Sequence, residues 1–185
     1  RRDGRRVLVT QEPGGTSVGR VLRNAILSVR RGRPSGRPAV APLAELFMYE
    51  ADRAQHVSEV IRPALTRGEV VLCDRYADAS VVYQGTARGL GVPLVKRLNR
   101  LATGGLTPDL TVVVDVPARV GLSRVKRRGR PNRLDREALA FHEKVRRGYL
   151  SLARREPRRV KVVDGMRPRG EVVREAWRHV VHFVA

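Results

Sequence analysis

Cysteine is nearly absent from these 185 residues. Cys73 stands alone, which excludes a disulfide framework and a cysteine-built zinc site. Aromatic residues make up only 4%, too few for the base-stacking faces usual in nucleic-acid binders. Acidic residues are scarce, 18 against 38 basic ones, and the formal net charge is +20. That balance excludes an acidic solubilising chain. No apolar run approaches the length of a membrane span. No charged-then-apolar leader opens the chain, so a cytoplasmic location and no membrane partner are expected. The four histidines, His56, His142, His179 and His182, follow no metal-ligand or triad spacing and are read as structural.

Lysine is also rare: Lys96, Lys126, Lys144 and Lys161 are all there are. Such an arginine skew looks like GC-rich coding bias, which raises net charge with no functional demand. Arginines are scattered from Arg1 to Arg178 instead of gathering on one stripe, and no zinc-finger or RNP-like pattern occurs. Nucleic-acid binding is therefore kept only as an alternative. Hydrophobic residues reach 42%, enough for a single globular domain with a sizeable core.

Short β-branched runs alternate with longer helical segments, the pattern of parallel βαβ units. Val7 to Thr10 (VLVT) reads as a strand, followed by a turn at Pro13-Gly14-Gly15. Thr16 or Ser17 caps a helix with Val18, Val21, Leu22, Ala25 and Ile26 on its expected buried face. Residues 31–38 read as a loop. Pro42 opens a long helix to about Thr66, with a kink or tightened last turn predicted at Pro63 and a stop at Gly68. Val70 to Cys73 (VVLC) is a wholly apolar strand, expected to be buried on both faces.

Pro93 to Thr103 reads as a helix closed by Gly104-Gly105, and Leu110 to Val114 as a strand ending at Asp115. A short helix to about Lys126 precedes a basic polar stretch, Arg127 to Arg133. A helix from Arg136 to about Arg155, a strand Val160 to Val163 and a helix Gly170 to Phe183 complete an α/β chain. In open parallel sheets ligands gather at the strands' carboxyl ends. That rule selects Gln11-Glu12-Pro13, Asp74-Arg75-Tyr76, Asp115 and Asp164-Gly165. An acid then an arginine at a buried strand's end suits Mg²⁺ water ligation beside a phosphate clamp. An Asp-Arg pair that merely caps the next helix is the structural alternative.

Four segments in order, QEPGGTSVGRVLR, AELFMYEADRAQHVSEVIRPAL, CDRYADASVVYQGTARGLG and LNRLATGGLTPDLTVVVDVPARVGLSR, together resemble the thymidylate (dTMP) kinase family. NRLDREALAFHEKVRRGYLSLA resembles the family's segment after its lid. The resemblance implies one domain over residues 1–185 with a lid near 127–135, and a three-layer α/β/α parallel sheet of the P-loop type. It implies transfer of phosphate from ATP to dTMP with Mg²⁺, and a homodimer. Tyr49 falls where an aromatic stacks on thymine, and Arg53 where the base's O4 is bound. Arg75 and Arg23 match the arginines on the dTMP phosphate, and Asp74 the acid near Mg²⁺ and the acceptor. Ser80, Tyr83 and Gln84 would line the sugar and base, and Glu12-Pro13 the pocket wall, often with a cis proline. Arg127, Arg128, Arg130 and Arg133 fall in the lid, where an arginine would stabilise charge on the transferring phosphoryl group.

Some positions depart from the family pattern: Gln11, Arg20, Ala79, Asn132 and Asp135. The largest departure is that no G-x-x-x-x-G-K-[ST] occurs in the 185 residues. That loop would cradle the ATP phosphates. The chain opens on Arg1, and Arg1 to Arg6 resembles the end of the family's first helix. The expectation is that one strand, the loop and most of a helix, roughly 25–30 residues of a βαβ unit, are missing. The strands holding Val70 and Val112 would then lack their shared neighbour, and the chain as given would be catalytically incompetent. A non-catalytic remnant that binds thymidine nucleotides is the alternative.

Overall fold

The computed structural model describes residues 6–28, 40–129 and 131–184. The predicted loop at 31–38 and Arg130 lie outside them. The chain divides into two compact units, Arg1–Leu106 and Thr107–Ala185, taken here in turn.

In the first unit, β1 (Val7–Gln11) pairs in parallel with β2 (Val70–Asp74), from Val7 opposite Val70 to Gln11 opposite Asp74. The β1 strand runs into α1 (Ser17–Leu27), whose start is capped by Thr16 accepting from the Gly19 N–H at 2.9 Å. Next comes α2 (Pro42–His56), with proline in its first turn. A π-helical turn over Val57–Ile61 joins it to α3 (Arg62–Thr66). After β2, α4 (Ala77–Ser80) widens into a second π-helical stretch, Val81–Ala87. Then α5 (Val92–Thr103) ends at left-handed Gly104. The Arg62 guanidinium donates to the carbonyls of Thr103 (2.9 Å) and Gly104 (3.1 Å), meeting the negative end of α5. Leu46, Val81 and Val95 form the core here, with Leu90, Val92 and Leu98 packed around them.

In the second unit, β3 (Thr111–Asp115) pairs in parallel with β4 (Val160–Asp164), register Thr111 to Val160 through Asp115 to Asp164. The helices are α6 (Ala118–Arg128), α7 (Leu139–Arg155) and α8 (Arg169–Val184), with a single 3₁₀ turn at Leu134–Arg136. Leu152, Ala153 and Val160 make the core, with Val113 against them. Among the described residues no helix is long and apolar enough to cross a membrane.

The α/β class with parallel strands holds, but several expectations are corrected. The described strands pair as two short parallel sheets, β1 with β2 and β3 with β4. The β2 strand is not buried on both faces: Leu72 is 57% exposed, and Val9 of β1, its register partner, 71%. On α1 the expected apolar face is buried only in part: Ile26 is buried and Leu22 half-buried, but Val18, Val21 and Ala25 are exposed. Gly19 is buried as well, because α1 approaches Asp52 of α2 through its glycine. Pro63 does not tighten the helix. The turn before it widens to π, with the Arg62 N–H reaching back to the Val57 carbonyl. A proline ring crowds the carbonyl four residues back, and a wider turn relieves that crowding. Helix α6 continues through Arg128, so Arg127 and Arg128 form its last turn and not a loop.

These exposures set a stability contrast. Leu46→Ala is expected to lower unfolding free energy by about 2–5 kcal/mol, the usual loss for a buried leucine. Val9→Thr is expected to change it by no more than about 0.5 kcal/mol, as at other exposed positions. Urea midpoints measure both, and equal shifts would contradict the core assignment.

Candidate active site

The carboxyl ends of β1 and β2 lie side by side, and the Glu12 N–H donates to the Asp74 carbonyl at 2.9 Å. Two of the four strand-end positions are thereby brought together. Beyond Glu12, a cis bond to Pro13 turns the chain, and Gly14 follows at φ 110, a conformation that favours glycine. The turn is held from α2. The Gly14 N–H donates to Asp52 Oδ1 at 2.9 Å. A side chain on Gly15 would strike the His56 ring, and one on Gly19 would strike Asp52. From α1, Arg23 donates to the Pro13 carbonyl at 2.7 Å.

Arg53 is the centre of this region. It is 1% exposed and donates from Nε to Glu12 Oε2 at 2.9 Å. Its Nη1 group donates to Asn99 Oδ1 (2.8 Å), Ser80 Oγ (3.1 Å) and Glu50 Oε1 (3.1 Å). The guanidinium lies 5.5 Å from the Tyr76 ring centroid. Burial works against its charge, but Glu12 and Glu50 prevail and hold its pKa above the ordinary value. Burial pushes the carboxyls of Glu50 and Asp52 upward. One oxygen of each, Glu50 Oε2 and Asp52 Oδ2, is buried without a hydrogen-bond partner among the described residues. Burial likewise raises the Cys73 thiol and the Tyr76 phenol, so neither ionises near neutral pH.

At the end of β2, Asp74 and Arg75 are exposed. Arg75 has φ 66, the one left-handed non-glycine residue among those described, and its guanidinium lies 4.9 Å from the Tyr83 ring centroid. Strain of this kind clusters at functional sites. Tyr49 is half-buried on α2, one turn before Arg53. Gln84 is buried and donates to Glu45 Oε1 at 2.7 Å, which also accepts from Arg88.

The remaining sequence-selected positions lie in the second unit. Asp115 and Asp164 are opposite each other in register, and both serve local structure. Arg146 donates two bonds to Asp115, at 2.7 and 2.8 Å, and these hold its carboxyl below the usual range. Asp164 Oδ1 accepts from the Met166 N–H, closing a turn. Arg127 and Arg128 are exposed, whereas Arg133 is 8% exposed. The divergent pair Asn132 and Asp135 cap one another: Asn132 Oδ1 accepts from the Leu134 and Asp135 N–H groups, and Asp135 Oδ2 from the Asn132 N–H. Gln11 and Arg20 are exposed.

The family model for thymidylate kinase matches residues 1–176. The chain belongs to the thymidylate kinase family. Thymidylate kinase of Deinococcus radiodurans is 50% identical over 176 residues, 94% of this chain and 81% of that protein. That of Desulfovibrio desulfuricans is 50% identical over 173 residues, 90% and 77% of the two chains. That of Syntrophotalea carbinolica is 48% identical over 180 residues, 94% and 81%. Membership makes the protein a kinase, a phosphotransferase.

Sequence reading did not single out Glu50, Asp52, His56 or Asn99 as parts of this cluster. A signal for two of them, Asp52 and His56, was present. Glu45, Asp52, Arg53 and His56 recur at helical spacing along α2, where an amphipathic helix would place apolar residues. Charges in that stripe mean that the helix's buried face is polar and partnered.

Asp52 gives a pH signature with a fixed sign. Its folded pKa lies above the unfolded value, near 3.9 for Asp. Its contribution to stability is therefore full below that value and lost as pH rises through the folded pKa. Asp52→Asn keeps an oxygen for Gly14 and removes the titration. The variant is expected to gain stability relative to the natural chain as pH rises above about 4, then to level off. Denaturant midpoints at a series of pH values measure the difference, and a pH-independent difference would contradict the buried-acid assignment.

Proposed function

We propose that this protein phosphorylates dTMP to dTDP with ATP, and that its first unit holds the acceptor nucleotide. The observation that carries the reading is the buried Arg53, held by Glu12, Ser80 and Asn99, beside the strained Asp74-Arg75 strand end. A guanidinium held on several sides offers donors in a set direction, which suits the carbonyl edge of a pyrimidine. In this reading Arg53 forms the pocket floor against O4, and Tyr49 stacks on the ring. Ser80 and Gln84 support that floor from behind, the first through Arg53 and the second through Glu45.

Arg75 and Arg23 take the acceptor phosphate. The bond from Arg23 to the Pro13 carbonyl orients a group with five N–H donors, and the left-handed backbone of Arg75 directs its side chain off the strand end. Tyr83, under Arg75, would border the deoxyribose and exclude a 2′-hydroxyl, and Glu12-Pro13 forms the adjoining wall. Asp74 would suit a Mg²⁺ ion held largely by waters, because it is an exposed strand-end carboxylate. Such an ion, when bound with nucleotide, would neutralise phosphate charge. Arg127, Arg128, Arg130 and Arg133 are the lid arginines proposed to stabilise charge during transfer. The proposal includes the homodimer that the family resemblance implies and a cytoplasmic location.

The 185 residues contain no G-x-x-x-x-G-K-[ST] loop, so they carry the acceptor side of the reaction without that cradle for ATP. The chain is expected to bind dTMP saturably in isothermal titration. Arg75→Ala is expected to weaken binding about 10- to 100-fold, the range for a hydrogen bond to a charged group. ATP-dependent ADP release is expected to stay at least about 10²–10³-fold below that of a form carrying the loop. Absence of dTMP binding, together with steeply salt-dependent DNA binding, would favour the basic nucleic-acid reading instead.

A further inference from the structure

His56 is the buried group that the reading above leaves without a task. It sits in the last turn of α2 with no exposed surface, and both ring nitrogens are engaged. Nδ1 lies 3.0 Å from Glu12 Oε1, and Nε2 lies 2.7 Å from Thr10 Oγ1. A carboxylate only accepts, so Nδ1 carries a hydrogen and donates to Glu12. The second oxygen of Glu12 accepts from Arg53 Nε. One carboxylate thus joins the imidazole to the guanidinium. The ring also lies against Gly15, close enough that any side chain there would collide with it. Thr10, Glu12 and Gly15 belong to β1 and the turn after it, while Arg53 and His56 belong to α2.

We propose that His56 is a positioning residue for nucleotide selection: by fixing Glu12 it fixes the direction in which Arg53 presents its donors to the base. This inference rests on the dTMP reading. Asn99, Ser80 and Glu50 anchor one end of the Arg53 guanidinium, and a glutamate held by one partner could still rotate about its carboxylate and tilt Arg53 Nε about that end. Held at both oxygens, it cannot. The effect should fall on discrimination at the pyrimidine 4-position, because that is where a misdirected donor matters. A site built to hydrogen-bond one group rejects an analogue that lacks it, and rejection weakens when the donor is no longer fixed.

Two substitutions of similar size separate positioning from simple space filling. In His56→Asn the amide nitrogen takes the place of Nδ1 and keeps the donor to Glu12. In His56→Gln the amide reaches the place of Nε2, toward Thr10, and the donor to Glu12 is lost. The measurement is the affinity ratio of dTMP to 5-methyl-dCMP, which differ at the 4-position, by isothermal titration with the full chain. Urea midpoints serve as the folding check. His56→Asn is expected to keep the natural ratio within about threefold, and His56→Gln to lower it about tenfold, the worth of one hydrogen bond. Equal ratios in the two variants, with the natural chain selective, would overturn the positioning role and leave the dTMP reading intact. Failure of both variants to fold would also overturn it, by showing that the ring is needed for folding itself. Absence of dTMP binding by the natural chain would overturn the dTMP reading and this inference with it.

Discussion

The ion pair between Glu12 and Arg53 is the constraint on which the first unit depends. Both side chains are 1% exposed, so neither charge can be hydrated if the other is lost. Breaking such a pair by removing one partner costs about 3–5 kcal/mol, mostly because a bare charge is left behind. The unit answers that demand by surrounding the pair with polar partners. His56 takes the other oxygen of Glu12, and Ser80, Asn99 and Glu50 take Nη1 of Arg53. The partners come from α2, α4 and α5 and the pair itself from α2 and the turn after β1, so satisfying one ion pair ties these elements together.

A polar core of this kind is a poor source of net stability. Replacing a buried ion pair with apolar residues of similar shape is often neutral or stabilising. What it supplies is direction. The guanidinium is orientated before any ligand arrives, and preorganisation lowers the ordering penalty of binding. Burial of Glu50 and Asp52, each with one oxygen lacking a partner among the described residues, is the energetic counterpart: these carboxylates are destabilising at neutral pH and are held where they are by the elements around them. The left-handed Arg75 is a second such place, a strained residue at the edge of the same region.

Much of the fold was legible in the residues themselves. VLVT, VVLC and VVV runs marked strands, Pro42 marked a helix start, and Gly104 marked a helix end, each for a local steric reason. The errors lie where neighbours decide. Val18, Val21 and Ala25 form a good apolar stripe, but periodicity cannot tell that the partner helix presents Asp52 to α1, which only Gly19 can approach. Leu72 looks like a buried strand residue until the number of strands and covering helices is known. Pro63 announces a disturbed helix but not whether the turn narrows or widens. Glu12, Asp74 and Arg75 could be selected because they lie at strand ends, and Arg53 because of the family resemblance. Asp52 and His56 carried only the weaker signal of charged residues in the buried stripe of α2, and a histidine on a helix is read as structural until both ring nitrogens are seen to be engaged.

The central claim is that Arg53 is orientated by Glu12 in the nucleotide-free protein. Nitrogen-15 NMR of the Arg53 Nε–H tests it most directly. The expected result is a slowly exchanging Nε–H resonance without ligand, little changed in exchange rate when dTMP is added. A resonance that exchanges rapidly and becomes protected only on addition of dTMP would show that the pair forms on binding, and would contradict the account.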